Sequence, residues 1–140
     1  MAQPIGVTLE QENALQDAAD YLFERGMEIT LLQNDETTIT RGRYNSIKKR
    51  EPVEIVFHAY PVKYSPTDDE LREAGIREKV DVILTLATKH LTDASISYDI
   101  IDTGRYELLL NGNLYTIADK NKINHFSFVH LNVVLGLFKK

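Results

Sequence analysis

Residues 9–25 carry Leu15, Ala18, Ala19, Leu22 and Phe23 at the spacing of one helical face, with Glu12, Asp17, Asp20 and Glu24 on the other. That period predicts an amphipathic helix. Thr8 followed by Gln11 reads as a capping box and Gly26 as the residue after the last turn, so both ends are marked. The period then drops to two: Met27, Ile29 and Leu31 alternate with Glu28 and Thr30, and a similar run follows the Asn34-Asp35-Glu36 turn from Thr37 to Thr40. A β-hairpin over 27–40 is the expectation.

Val53, Ile55, Phe57 and Ala59 alternate with Glu54 and His58 up to Pro61, as in a half-buried strand. Thr67 caps a short acidic helical segment, DDELREAG, closed by Gly75. Val80, Val82, Leu84 and Leu86 give a further strand. Asn111-Gly112 marks a two-residue turn, because a type I′ loop needs positive φ at both positions. In that register Leu108 faces Tyr115 and Tyr106 faces Ile117, which places all four on one face. Val129, Leu131, Val133, Leu135 and Leu137 alternate in a closing run with a bend expected at Gly136.

Strands joined mostly by hairpins, with one long and one short helix, predict a mainly β (α+β) chain. The expected architecture is a small antiparallel β-barrel or sandwich with an N-terminal helix and an inserted helix near 67–75. A single domain over 1–140 is expected, with the β body spanning 27–140.

Charge alters this picture locally. Net charge is −5, yet by segment it runs −7 over 1–40, +5 over 41–50, −6 over 51–102 and +3 over 103–140. An acidic body opposes general adhesion to nucleic acid, so phosphate affinity would be confined to Arg41, Arg43, Tyr44, Lys48, Lys49 and Arg50. Two readings of this segment stand side by side: a loop that touches DNA or an acidic partner, with forked arginines and a stacking tyrosine, or a solvated hairpin.

Chemistry of other kinds finds little footing. There is no cysteine, which excludes disulfides, thiolate metal sites and cysteine nucleophiles. His58, His90, His125 and His130 form no His-x-x-x-His pair, and no Gly-x-Ser-x-Gly or phosphate loop occurs. Asp68-Asp69-Glu70 could pair carboxylates for catalysis or magnesium, but acids in a first helical turn also favour the helix dipole. The expectation is no catalytic residue, no cofactor and no metal. The amino terminus lacks a basic region followed by an apolar core, so cytoplasmic synthesis without a membrane partner is expected.

The stretch YELLLNGNLYTIADKNKINHFSFVHLNVVLGLFKK resembles the head-completion proteins of tailed bacteriophages, the head-closure or stopper proteins of the head-to-tail connector. The pattern is a strand, a turn ending in Gly, x-x-Tyr-x-Ile, a polar loop and a closing strand. Gly112, Tyr115, Ile117 and the run Leu131 to Lys140 meet it. Upstream, VEIVFHAYPVKYS, the acidic insertion DDELREAGI and VDVILTLA follow the family's order, so the likeness covers about residues 53–140. Where the family commonly has Gly-Asp, this chain has Gly104-Arg105.

The resemblance implies a β-barrel subunit of the virion neck, in a ring of about twelve copies. Its partners would be the portal or adaptor ring, tail terminator or tail tube proteins, and packaged double-stranded DNA. An adaptor or tail-completion subunit of the same neck is the neighbouring reading. A single-stranded nucleic-acid-binding small barrel is the reading of another class.

Overall fold

The computed structural model describes residues 9–33 and 53–140, together with the backbone of 40–41 and 47–48. The first helix, α1, spans Leu9–Arg25. It turns into β1 (Met27–Gln33) at Gly26, whose N–H donates to the Leu22 carbonyl at 2.7 Å. Gly26 follows the last turn as the sequence predicts, but without a positive φ. A side chain there would strike the Leu22 carbonyl and the Ala59 backbone, so close packing against the sheet selects glycine. Thr8 lies outside the described residues.

Two short strands, β2 (Thr40–Arg41) and β3 (Ile47–Lys48), form a separate two-stranded ladder. Beyond them come β4 (Val53–Ala59), β5 (Val62–Tyr64), α2 (Asp68–Ala74), β6 (Val82–Ala87) and α3 (Thr88–Asp93). A 3-10 turn at Tyr98–Ile100 leads to β7 (Tyr106–Leu110), β8 (Asn113–Phe126) and β9 (Val129–Lys139). The main sheet has seven strands in the order β4-β1-β7-β8-β9-β6-β5, and every pairing is antiparallel.

The expected hairpin over 27–40 is not formed. β1 pairs instead with β4, Met27 opposite Ala59, and on its other side with β7. Apolar alternation identifies a strand but not its partner, and both edges of β1 are taken by strands distant in sequence. The turn at Asn34 to Glu36 lies outside the described residues.

The sheet curls on itself without closing into a barrel. Its inner face packs Ile29, Leu31, Phe57, Val82, Leu84, Leu86, Leu108, Leu110, Val133, Leu135 and Leu137 into one cluster. Its two end strands, β4 and β5, are consecutive in the main sheet's chain order and meet at Tyr60-Pro61. There the Tyr60 N–H donates to the Thr85 carbonyl at 3.1 Å, and the Thr85 N–H to that of Pro61 at 3.3 Å. This backbone exchange holds the corner against β6.

Outside the sheet, α2 covers a second cluster of Leu71, Ile76, Val80, Ile83 and Val134. With Ala19 and Leu22 of α1 packed on Ala87, and Val82, Leu84 and Leu86 in the inner cluster, all six β6 residues are buried. The caps of α2 are those the sequence predicts: Thr67 and Glu70 make both capping-box bonds, and Gly75 adopts φ 73°. Gly136, by contrast, sits within the β9 ladder, where a Cβ would press on Ile76 and Val80 at 3.1 and 3.2 Å. The irregularity lies across from it, a bulge at Ala118 between Ile117 and Asp119. The helix α3 has no counterpart in the sequence reading; Leu91 anchors it in the core.

Candidate functional site

The turn at Asn111-Gly112 has φ values of 49° and 77°, and Leu108 pairs with Tyr115 as the sequence register requires. Tyr115 and Ile117 are buried in the main cluster, so the family-pattern residues Gly112, Tyr115 and Ile117 serve the β7–β8 fold itself. Burial raises the Tyr115 hydroxyl above its usual range. The polar loop expected after Ile117 is absent: β8 runs on through Phe126 and returns as β9, making one long hairpin.

The outer half of this hairpin is a distinct surface. Its turn, Ser127-Phe128, has φ values of 46° and 73° with no glycine. Phe128 is completely exposed and Phe126 half so (102% and 43%). A bulky aromatic in left-handed backbone is an unfavourable arrangement that contributes no burial to the subunit. Gln11 of α1 donates to the Ser127 carbonyl, fixing the tip against the start of the helix.

Behind the tip, His125 and His130 stand opposite one another with ring centroids 6.5 Å apart, and Tyr98 lies 6.2 Å from His130. Lys120 and Lys122 approach the Tyr98 ring at 4.6 and 4.7 Å. Lys120 also donates to the Tyr98 and Asp99 carbonyls and pairs with Asp102 at 2.8 Å. It therefore clamps the 3-10 segment onto β8. Burial, then the charges of Lys122 and His125, lower the His130 pKa.

A second surface lies at the other end of α1. β4 has a ladder partner on one side only among the described residues, β1. Away from the Tyr60 corner its other flank diverges from the β6–α3 chain and leaves a groove of about 520 Å³, lined by Phe23, Ile55, Val56, His58, His90, Asp93 and Ala94. Phe23 is mostly exposed and meets the His58 ring at 4.8 Å, centroid to centroid, instead of joining the buried face that its helical spacing implied. Tyr21 contacts Tyr60 beside it, with Arg25 over the Tyr21 ring. Burial, then the nearby His58, lowers the His90 pKa, while Asp93 and Asp20 oppose this.

Of the basic segment, Arg43, Tyr44, Lys49 and Arg50 lie outside the described residues. The β2–β3 ladder sets Arg41 opposite Ile47 and Thr40 opposite Lys48, which draws the two ends of the segment together. In the acidic cluster Asp69 and Glu70 are turned to separate partners rather than to a shared site. Glu70 caps α2 and bridges Lys63 at 3.1 Å, and Asp69 lies 3.6 Å from Arg72. The Thr67 backbone bond, then Lys63, hold the Glu70 carboxyl below its usual range. Among the described residues, no group of three or more histidine or acidic side chains is placed to hold a metal, and no helix is long and apolar enough to cross a membrane.

The exposed tip and the groove are the features that sequence reasoning missed. One signal for the tip was available: Phe126 and Phe128 stand in a stretch otherwise polar from Asn124 to Ser127, away from the apolar run Val133, Leu135, Leu137. The chain matches no protein-family model and no curated protein.

Proposed function

We propose that the chain is a structural subunit of the neck of a tailed-phage virion, without catalytic activity. In this reading about twelve copies form a ring between the portal or adaptor and the tail. The ring closes the head, retains packaged double-stranded DNA and offers the docking surface for the tail terminator or tail tube.

The observation that carries the reading is the β7–β8–β9 unit. The residues that bear the family resemblance form a continuous antiparallel meander, with Gly112 at its first turn and Tyr115 and Ile117 in its core. Its second turn presents aromatic side chains to the outside, which suits an assembly protein better than an enzyme. The segment from Arg41 to Arg50 is assigned to contact with DNA or an acidic neighbouring ring, and the acidic remainder of the chain limits phosphate binding elsewhere.

Antibody against the chain, applied to tailed particles from the source, should label the junction of head and tail. Loss of the gene should leave unjoined tails and heads that lose DNA. Replacing Arg41, Arg43, Lys48, Lys49 and Arg50 by Ser should leave the fold intact and lower the yield of full, tailed particles. Label elsewhere on the particle, or normal particles without the gene, would overturn the assignment.

A further inference from the structure

The tip and the groove are complementary in shape and charge. Phe128 is a free aromatic knob in costly backbone, whereas the groove has apolar walls in Phe23, Ile55, Val56 and Ala94 and room for an aromatic side chain. The tip half of the hairpin, from Lys120 to Leu131, has two lysines and two histidines with no acid. Acids outnumber bases around the groove: Asp93 in its lining, Glu54 on β4, and Asp17, Asp20 and Glu24 on the flanking helix stand against Arg25 of that helix and Lys89, which pairs with Asp93 at 3.2 Å. Such patches attract each other and repel their own kind.

Their placement fixes the symmetry of the contact. Gln11 touches the tip and Phe23 borders the groove, so the two surfaces are separated by about 18 Å along α1 at the usual helical rise. A subunit holding its own tip beside Gln11 cannot fill its own groove. Joining tip to groove between copies is head-to-tail, and repetition generates a ring if the rotation closes.

We infer that a second copy of this chain is the occupant: the tip of one subunit, led by Phe128, seats in the β4–α3 groove of the next. The inference rests on the ring reading above for its choice of partner. Phe128 supplies the apolar anchor, Phe126 packs at its side, and the lysine and histidine flank faces the acids of α1 and α3. Each subunit then uses both surfaces once.

The absence of cysteine makes the test direct. Ser127→Cys leaves Phe128 in place, and Val56→Cys labels the exposed rim of the groove. A short bismaleimide added to an equal mixture at high protein concentration should join tip to groove between the two variants, with little product from either alone. Phe128→Asp and Val56→Asp should each weaken self-association about thirtyfold or more in sedimentation while leaving the melting temperature near that of the parent chain. Mixing these two should restore a dimer, because one intact knob meets one intact groove.

Cross-linking of Ser127→Cys with itself would mean a two-fold tip contact and overturn the inference, as would no cross-link in the mixture. A wild-type ring by native mass that Phe128→Asp leaves intact would also overturn it, while sparing the ring reading. Tip-to-groove joining by a chain that labels no phage neck would support the contact and remove the neck.

Discussion

Asn121 donates from its side-chain amide to the Ala74 carbonyl at 2.9 Å, and in doing so occupies the space beside Gly75. One contact thus ties the end of α2 to the long β8–β9 hairpin. Gly75 also has φ 73°, so substitution there meets both backbone strain and the Asn121 side chain.

Gly75→Ala should therefore destabilise the protein by about 1–2 kcal/mol or more. Combining it with Asn121→Ala should recover part of that loss by removing the collision. Chemical denaturation of the two single variants and the double variant measures the coupling; purely additive losses would show that the two residues act independently.

At the β7–β8 turn, Gly112 has φ 77° with open space where a Cβ would point. Backbone conformation alone sets the penalty, so Gly112→Val should cost about 1 kcal/mol or more and Gly112→Asn much less. Equal melting temperatures for the two variants would remove this explanation.

Lys120 joins the Tyr98 and Asp99 carbonyls and the Asp102 carboxylate in a partly buried setting. Lys120→Met keeps most of the side-chain length but removes every donor, and should cost about 1–3 kcal/mol. Hydrogen exchange should accelerate over residues 97–103 before the rest of the sheet. Uniform acceleration throughout would contradict a local clamp.

Both His90 and His130 have pKa values lowered from 6.5, chiefly by burial. Protonation is then easier in the unfolded chain, so stability is full above the unfolded value and falls as pH drops through it toward the folded values. Around His130 the relevant groups are Lys122 and His125; around His90 they are His58, Lys89, Asp93 and Asp20. Melting temperature should decline from pH of about 7.5 to about 5.5, and the decline should be shallower in a His90→Gln, His130→Gln double variant. An equally steep decline in that variant would assign the pH dependence to other groups.

Local signals in the sequence were legible where the physics is local. Thr67, Glu70 and Gly75 define α2 within a short stretch of chain, and Asn111-Gly112 specifies its turn through backbone preference alone. Strand pairing is a different matter. Nothing between Met27 and Leu31 distinguishes a neighbour at Thr37 from one at Phe57, and the choice falls to the collective packing of Ile29, Leu31, Phe57 and Leu108. The groove was hidden for a related reason: helical spacing put Phe23 with Leu22, although the path of β4 leaves Phe23 outside the core.

The corner at Tyr60-Pro61 gives the curled sheet the character of a tube slit along part of its length. Backbone bonds to Thr85 fasten one end of the slit, while toward Val53 the flank of β4 has no ladder to β6 among the described residues. The width of the slit there is set by side chains, among them Ala19 and Leu22 of α1 packed on Ala87, whereas β7, β8 and β9 are held by continuous ladders. If subunits are joined through the groove, each joint falls on the flank where side chains rather than a β ladder set the spacing, and the β7–β8–β9 ladders stand apart from it.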